Sequence, residues 1–375
     1  MIDPHSQTKL KEELSKCLGE DKVLLDTLRA EVRVLRDGVR PIQPRTTTAI
    51  SLVGTDGGNN RIEFDPFLVQ VVRVVDSSNN EYCLEAVTPS TSVTKLSKRH
   101  IQENTPLGGL MKFLCVDDLT QLSHMIRENK KGKPTSPSWL QVYRELTEWA
   151  VLFSIIKNKD FGTDTIIICD GLLRSKVFAK DLFKKYLEGL TKGIEEHKKK
   201  RRNIYLVGVA KHSKVLTRYR LAMAIEGILA TNFPAYAEIP RELEEKSYVW
   251  SEYARGDDRV TEGEEINKFV GGKMYFVKFG SRTRDPIWPV DIFLPQKGLA
   301  SMILGYMLAD AINGFPIPFY PLALQRAHEN AALVDFDFDI LQDQIFDAIK
   351  KVTNDNSALD EFRLQQGDPA SRRYS

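Results

Sequence analysis

The chain has 375 residues, of which 42% are hydrophobic and 28% are charged, and its formal net charge is +2. These values are typical of a soluble globular protein with two or three domains, or with one domain that carries insertions. No run of about 18 apolar residues predicts a membrane span, and the first residues, MIDPHSQTKLKEEL, lack the apolar core of a secretory signal. Because the net charge is so small, any nucleic-acid binding must depend on local basic patches.

Cysteine usage and missing motifs narrow the function classes. The four cysteines are scattered without a CxxC pair, which fits a reducing cytoplasm and argues against a structural zinc site. The sequence contains no GxxxxGK[ST], HExxH or GxSxG motif. These absences exclude a P-loop ATPase, a zincin protease and an α/β-hydrolase.

Residues 7–37 are predicted to form one long helix. Its apolar residues recur mostly at the helical spacing of three or four positions: Leu14, Leu18, Leu25, Leu28, Val32 and Leu35. Asp21 interrupts one position of this stripe, and Gly38 ends the helix. The helix, in a separate N-terminal region over 1–40, either packs on the body of the protein or forms a dimer or partner-docking surface. It has too few heptads for a long coiled coil.

Three β-rich runs follow, separated by turn residues at 56–60 and 76–80, and they predict an antiparallel meander. A helical region over about 100–157 contains the polar loop ENKKGKPTSPS. The segments DTIIICDGLL and NIYLVGVAKHS then each predict a buried strand followed by a helix. A β-rich segment covers about 234–295, and helices at about 296–313 and 321–352 precede a polar tail over 354–375.

This order predicts an α/β fold with a ribonuclease H-like mixed sheet. In it an antiparallel meander is followed by parallel β-α-β-α, with a helical insertion at about 100–157 and with N- and C-terminal helices. We therefore treat residues 41–353 as one domain. A Rossmann fold is a weaker interpretation, because no GxGxxG motif links a first strand to a helix.

Two aspartates stand in the same local setting. Asp56 follows ISLVGT and precedes two glycines, and Asp170 follows TIIIC and precedes Gly171. Each alone fits an ordinary Asp-Gly turn. The predicted fold, however, places their strands side by side, and like charges in a cleft require a counter-charge such as a divalent cation. Oxygen ligands favour Mg²⁺ or Mn²⁺ over zinc.

Further charged residues surround this predicted site. Lys211 follows the next strand and either forms an ion pair with Asp170, holds a phosphate oxygen or orients water. In the helix YRELTEWAVLF, Glu145 and Glu148 are both candidates to point towards the strand ends, or else are surface carboxylates. The basic run HKKKRRN precedes its strand, so we expect a solvated loop at the opposite edge of the sheet.

Taken in order, VGTDGG, the glutamate helix, IICDGLL, VGVAKHS, MYFVKFG and FPIPFYPLALQRAHENA resemble the NurA nucleases over about residues 45–340. The resemblance implies a ribonuclease H-like nuclease that depends on Mn²⁺ or Mg²⁺, degrades single-stranded DNA and resects duplex ends. It also implies a homodimer that acts with a HerA-type hexameric ATPase, in DNA repair or in phage defence.

The resemblance also implies a catalytic set. Asp56 and Asp170 match its aspartates, and Tyr320 and His328 match its tyrosine and histidine, eight residues apart (328 − 320). Glu148 is the favoured glutamate and Glu145 the alternative. Asp56, Glu148, Asp170 and His328 would then hold metal; His328 could instead protonate the leaving 3′-oxygen, and Tyr320 could stack on a base or bind a phosphate. Before the resemblance is considered, His328 is equally compatible with a surface or core histidine.

Two other functions remain open at this point. The first is a catalytically inactive ribonuclease H-like adaptor that docks on a ring ATPase. The second is a sugar-kinase-like phosphotransferase, which would require duplicated halves with glycine-rich phosphate loops, and no duplication is visible in the sequence.

Overall fold

The computed structural model describes residues 3–45, 50–64, 67–130, 132–248, 269–333 and 335–353. The strands are Arg40–Pro41 (β1), Ile50–Phe64 (β2), Phe67–Asp76 (β3), Glu81–Val87 (β4), Asp164–Asp170 (β5), Ile204–Val209 (β6), Ala235–Glu238 (β7), Gly272–Lys278 (β8) and Trp288–Phe293 (β9). The helices are Pro4–Glu20 (α1), Lys22–Arg33 (α2), Val93–Glu103 (α3), Pro106–Leu114 (α4), Leu119–Leu122 (α5), Trp139–Asn158 (α6), Leu182–Lys199 (α7), Lys214–Glu226 (α8), Arg241–Ser247 (α9), Ala300–Ala311 (α10), Leu322–Ala331 (α11) and Asp335–Thr353 (α12). None of these helices is long and apolar enough to cross a bilayer.

Within these ranges the strands form one mixed sheet in the order β1-β7-β8-β9-β6-β5-β2-β3-β4. β2, β3 and β4 are antiparallel neighbours, whereas β5 runs parallel to β2 and β6 runs parallel to β5. The mixed α/β architecture is therefore confirmed, with a meander followed by two parallel strands. The turn predicted at 56–60 is wrong, because these residues lie within β2 and pair with residues 71–75 of β3. The β-rich segment does not form a second sheet, because its strands extend the same sheet beyond β6.

Both faces of the central strands are covered, as expected where helices connect parallel strands. Side chains alternate between the two faces of a strand. In β5, Ile167 joins the core beneath α3–α7, whereas Ile166 and Ile168 join the core beneath α10 and α11. In β6, Val207 and Val209 point to the same side as Ile168. The next residues in this alternation, Asp170 and Lys211, are therefore directed to the side that α10 and α11 cover.

The predicted N-terminal helix is two helices, because the chain breaks between α1 and α2 at Asp21. The second half packs on the body of the protein, where Val32 and Leu35 join a buried cluster with residues of α8. The first half leaves its apolar stripe exposed, with Leu14 at 51% and Leu18 at 67%. Packing on the body of the protein is therefore observed for the second half, and the dimer or partner-docking surface stays a prediction for the first.

The C-terminal region differs from the sequence prediction in a similar way. The single helix expected over 321–352 is divided into α11 and α12, because Ala332 adopts extended backbone angles at the end of α11. The basic run HKKKRRN lies at the end of α7, where the chain enters β6, so its predicted distance from the strand ends is confirmed. Its His197 is buried, with the ring Nε2 2.8 Å from the Ile156 carbonyl oxygen. The expected polar tail over 354–375 lies outside the described residues.

Candidate active site

The register of the sheet aligns the two predicted aspartates. Thr55 of β2 pairs with Cys169 of β5, so Asp56 and Asp170 each follow one member of an aligned pair. Neighbouring strands lie about 4.8 Å apart, which brings the two backbone positions side by side. The side chain of Asp56 lies outside the described part of the chain, so its contacts remain a prediction.

Asp170 is the best-defined member of the site. Its Oδ1 accepts a 2.9 Å hydrogen bond from the hydroxyl of Tyr320, and its Oδ2 lies 3.8 Å from Nζ of Lys211. The Lys211 ammonium also lies 5.6 Å from the centroid of the Tyr320 ring, within the range of a cation–π contact. Tyr320 and Asp170, which are 150 positions apart in the chain, are thus in direct contact. The ion pair between Lys211 and Asp170 that the sequence suggested is also present.

The turn GFPIPFY is braced so that Tyr320 reaches Asp170. Gln325, which is buried, accepts a hydrogen bond from the Ile317 backbone N–H and donates to the carbonyl oxygens of Ile317 and Tyr320. The Tyr320 ring also packs edge-on against Trp288, with centroids 4.9 Å apart. The sequence analysis missed Gln325, although an amide one turn into a helix after a proline-rich turn is a signal for such a brace.

The loop after Asp170 is held by a buried ion network that the sequence analysis also missed. Arg174 donates two hydrogen bonds to Asp291, at 2.8 and 2.7 Å, and one to Glu244 at 2.5 Å. Asp291 also accepts from the Leu173 backbone N–H at 3.1 Å. The side chains of the three ionic residues are at most 2% exposed. The aspartate within the apolar strand WPVDIF could have indicated this network, because buried carboxylates require partners.

The charges in this network set the protonation state of its arginine. Burial alone would lower the pKa of Arg174, but the negative charges of Asp291 and Glu244 outweigh burial and raise that pKa well above its usual value. Arg174 therefore remains a cation in the interior. The loop that begins at Asp170 is anchored four residues later by a permanent charge.

Gly208 of β6 allows this loop to approach the sheet closely. A Cβ atom at this position would lie 2.4 Å from the Gly171 carbonyl oxygen and 2.9 Å from the Leu173 backbone nitrogen. Both contacts are with backbone, so a side chain here would displace the loop. The glycine after Asp170 is also required, since Gly171 has a φ of 112°.

The two candidate glutamates of α6 have different surroundings. Glu145 Oε1 accepts hydrogen bonds from the Ser175 hydroxyl at 2.6 Å and from Nε1 of Trp149 at 3.3 Å. Glu148 lies 3.6 Å from Arg144 and is 30% exposed. Both glutamates line the same cavity as Asp170. Glu145 therefore braces the loop after β5, while Glu148 faces the cavity with its carboxylate half-exposed.

His328 is exposed near the end of α11, the helix that follows Tyr320. The end of this helix is attached to β3: Nδ2 of Asn330 donates to the Asp76 carbonyl oxygen, and Arg73 donates to the Asn330 carbonyl oxygen. Asp76 and Arg73 pair with Thr55 and Gly58, which flank Asp56 in β2. The last turn of α11, including His328, is therefore attached next to the stretch of β2 that contains Asp56.

The donor atoms suit a hard divalent cation. Asp170 and Glu148 supply carboxylate oxygens to one cavity, and the register adds the backbone position of Asp56. Oxygen donors of this kind favour Mg²⁺ or Mn²⁺. Among the described side chains alone, however, no three His, Cys, Asp or Glu residues form a complete site.

Together, the fold and the site define a mixed α/β protein with an acidic centre at the carboxyl ends of parallel strands. No protein-family model and no curated protein matches the chain. It is similar to the crystal structure of the NurA nuclease from Sulfolobus solfataricus, with 11% identity and a TM-score of 0.43 over 94% of this chain and 98% of that one. It is also similar to NurA bound to dAMP and manganese (12% identity, TM-score 0.39, 85% of this chain and 92% of that one) and to NurA with manganese (12%, 0.38, 86% and 95%). A resemblance to NurA structures over most of the chain is thus confirmed.

Proposed function

We propose that this chain is a metal-dependent deoxyribonuclease that hydrolyses phosphodiester bonds in single-stranded DNA and at duplex ends. One observation carries the proposal. The parallel strands β2 and β5 align Asp56 with Asp170, and Asp170 is held at the same time by Tyr320 and Lys211. An inactive adaptor would have no use for a carboxylate on which two other segments of the chain converge.

The ribonuclease H-like assignment is part of this proposal. It is supported by the strand order β4-β3-β2-β5-β6, in which an antiparallel meander is followed by two parallel strands with the first strand of the meander in the centre. In open sheets of this kind, ligands bind beyond the carboxyl ends of the parallel strands. Asp170 stands at that end of β5.

Asp56, Glu148 and Asp170 would hold Mn²⁺ or Mg²⁺, with His328 as a further ligand. A bound ion of this kind lowers the pKa of the attacking water and stabilises charge on the leaving oxygen. The half-exposed Glu148 is the better third carboxylate, because Ser175 and Trp149 already occupy an oxygen of Glu145.

The remaining residues act around these carboxylates. Tyr320 fixes the orientation of Asp170 through its hydroxyl. Lys211, which is 32% exposed, neutralises part of the charge of Asp170 and extends towards solvent, where it can bind a phosphate oxygen. As the alternative to binding metal, the exposed imidazole of His328 can protonate the leaving 3′-oxygen.

The direct test is cleavage of end-labelled single- and double-stranded DNA with Mn²⁺, Mg²⁺ or EDTA. We expect metal-dependent degradation by the wild type and its loss in Asp56→Asn and Asp170→Asn. Asp181→Asn, an exposed aspartate before α7, is the matched control and should remain active. Persistent cleavage by both site variants would refute the metal-binding assignment. A folded wild type that cleaves only with a HerA-type ATPase and ATP would be a partner-dependent nuclease, and one that never cleaves would be the adaptor.

Glu148 and Glu145 form a second matched pair. Glu148→Gln should abolish cleavage and lower the affinity for Mn²⁺, measured by calorimetry. Glu145→Gln should bind Mn²⁺ normally and lose thermal stability, because its bond to Ser175 braces the loop after β5. The reverse pattern would make Glu145 the third ligand.

The homodimer in this proposal is assigned to α1. Leu10, Leu14 and Leu18 form one exposed stripe along this helix. In an antiparallel pair centred on Leu14, Leu10 of one copy would lie beside Leu18 of the other, because each is four positions from the centre and on the same face of the helix. Exposed apolar surfaces of this kind are typical of contacts with another chain. The HerA-type ATPase would then bind a cytoplasmic dimer, and the four free cysteines fit that compartment.

Sedimentation of the full chain tests this interface. Leu14→Glu should convert a dimer to a monomer, since like charges would meet at the centre of the pair. Leu221→Glu, at an exposed leucine of α8, is the control and should leave the mass unchanged. A wild-type monomer, or a dimer that survives Leu14→Glu, would contradict the assignment to α1.

A further inference from the structure

The end of α7 and the turn after it carry four consecutive exposed cations: Lys198, Lys199, Lys200 and Arg201. We call these residues the basic cluster. Residues 195–202 contain five lysines and arginines against two glutamates, so their net charge is +3 (5 − 2), whereas the whole chain has only +2. This surface can attract a polyanion although the molecule as a whole is close to neutral.

The basic cluster stands on a fixed base. His197 is buried, and its Nε2 lies 2.8 Å from the Ile156 carbonyl oxygen of α6. Its ring packs edge-on against Phe161, with centroids 5.2 Å apart, and Nε of Arg202 donates to the Phe161 carbonyl oxygen at 3.2 Å. The residues on either side of the four cations are thus attached to α6 and to the segment after it, which holds the cluster in one place.

Arg201 occupies a backbone position that favours glycine. It has a φ of 59° and follows Lys200, the C-cap of α7. The backbone N–H groups of Arg201 and Arg202 donate to the carbonyl oxygens of Lys198 and His197, both at 3.0 Å. In this Schellman arrangement glycine is the usual residue at the left-handed position, because a side chain there is strained. A charged side chain is thus present where the backbone alone favours none.

The basic cluster lies at the opposite end of β6 from the candidate active site. β6 begins at Ile204, just after the cluster, and ends at Val209, two residues before Lys211. Its six extended residues, at about 3.3 Å each, span about 20 Å. Salt screens exposed charges over about 8–10 Å, so the cluster does not act on the phosphate at the carboxylates. DNA must extend at least about six nucleotides beyond the cut to reach the cluster, because phosphates along one strand are about 3.4 Å apart.

We infer that the basic cluster binds the phosphate backbone of duplex DNA, on the uncut part of the substrate. The inference rests on the proposed nuclease function and deepens it, because it assigns a surface that holds the substrate away from the cut. Cations that extend into water contact phosphates regardless of base sequence, as an enzyme that resects DNA ends requires. The cores of protein interfaces are depleted of lysine and enriched in aromatic residues, so four adjacent exposed cations fit a nucleic-acid backbone better than a protein partner.

The experiment measures binding of a fluorescent duplex by anisotropy, in EDTA, over a series of salt concentrations. A duplex of about 30 base pairs is about 100 Å long and extends from the site past the cluster. Lys200→Gln/Arg201→Gly removes two charges and should lower the magnitude of the slope of log K against log salt concentration by about 1.8, at about 0.9 per phosphate contact. Lys95→Gln/Lys98→Gln, at two exposed lysines of α3, removes the same charge and should leave the slope unchanged.

The melting temperature separates lost charge from lost structure. Arg201→Gly relieves the left-handed backbone, so the double variant should melt no lower than the wild type. Lys199→Gln/Lys200→Gln does not alter the residue in the left-handed conformation and should show the same reduction of the slope. Weaker DNA binding by both variants, without a lower melting temperature, assigns the loss to the charges of the cluster.

Cleavage distinguishes this surface from the active site. With Mn²⁺, Lys200→Gln/Arg201→Gly should cleave the long duplex several-fold more slowly than the wild type. It should cleave a single strand of about four nucleotides at the wild-type rate, because that strand is too short to reach the cluster.

Two results would overturn the inference: equal slopes for the cluster and α3 variants, or equal losses of cleavage on the long and short substrates. In either case, metal-dependent cleavage of the short strand by the wild type would leave the nuclease function standing. A cluster variant that keeps the wild-type slope on DNA but no longer binds polyglutamate would assign the cluster to an acidic protein instead. A wild type that neither binds nor cleaves DNA would overturn both proposals.

Discussion

Two regions of the molecule are held by the same chemistry in opposite surroundings. In the loop after β5, one guanidinium, Arg174, is enclosed by Asp291 and Glu244, all at most 2% exposed. At the N-terminal helices, one carboxylate, Glu226, accepts from Arg29, Arg33 and Arg36, whose side chains are 33–58% exposed.

The difference in solvent decides what each cluster does. An exposed ion pair contributes little, because water and salt screen it. A buried one is costly to break, since the remaining charge has no partner. The loop beside Asp170 is thus held by fully buried charges. Glu226 is itself only 7% exposed, but its arginine partners are open to water and salt, and these ion pairs add to the apolar packing of α2 on α8.

The largest expected effect is that of Arg174→Met. The substitution removes the cation that pairs with buried Asp291, while Glu244 keeps Arg241, and it should lower the free energy of unfolding by about 3–5 kcal/mol. Urea denaturation measures the change. Arg33→Met, in the exposed cluster, is the comparison and should have a much smaller effect. Equal losses in the two variants would show that burial does not separate the clusters.

Gly208→Ala should have the next largest effect. Its Cβ would meet the backbone of the loop after Asp170 at 2.4 Å, so we expect destabilisation by about 1–3 kcal/mol. Gly109→Ala in α4 has open space around its Cβ and should be neutral or stabilising. Thermal denaturation of both variants checks the prediction, and a Gly208→Ala protein as stable as the wild type would mean that the loop yields easily.

Tyr320→Phe removes the hydroxyl that donates to Asp170. The loss of one hydrogen bond to a partly exposed carboxylate should cost about 1–2 kcal/mol, with the ring packing on Trp288 retained. Chemical denaturation gives the energy. If the proposed activity is correct, a cleavage assay should also show a lower kcat with little change in KM, because the substitution affects the orientation of Asp170. An increase in KM alone would assign Tyr320 to substrate binding.

Glu226→Gln should have a small effect on stability that disappears at high salt. The neutral amide keeps the shape of the side chain and removes its charge, so the arginines of α2 lose their common partner. Melting temperatures at low and high ionic strength give the comparison. A difference that persisted in molar salt would mean that shape, and not charge, holds α2 in place.

The smallest expected effect is the pH dependence of the contact between Glu226 and its arginine partners. Hydrogen bonds from Arg33 and then Arg29 lower the pKa of Glu226 from 4.5 to about 2. Because the pKa of Glu226 is lower in the folded state than in the unfolded state, the contact stabilises the protein at pH values above the unfolded-state pKa. This contribution is lost as the pH falls from about 4.5 towards 2. Wild type and Glu226→Gln should therefore converge in stability over this window, and parallel curves would contradict the shifted pKa.

The sequence predicted β5 and β6 well, because their patterns are local, but it placed a turn at 56–60 where β2 continues. TIIICD and IYLVGV are apolar runs of strand length that precede a polar residue and a helix, and both form strands beside β2. The contact between Tyr320 and Asp170 was of another kind. Nothing in the local pattern joins residues so far apart, and only the resemblance to a known family suggested that they share a site.

The features that could not be predicted from the sequence depend on tertiary contacts. Asp21 was recognised as an interruption, but whether a helix tolerates it depends on what α1 packs against, and its leucines are exposed. Arg174 and Gln325 look like ordinary loop and helix residues until their acceptors are brought near by other segments. Glu145 and Glu148 lie three residues apart on one helix, so only their neighbours distinguish them.

Tyr320 closes the site from the C-terminal part of the chain, and this has a consequence for biosynthesis. A ribosome releases β2 and β5 long before it releases the turn that carries Tyr320 and α11, and the earlier segments can begin to fold during synthesis. The carboxylates therefore gain their final orientation only when translation is almost finished. A prematurely terminated product would carry Asp170 without the hydroxyl that orients it.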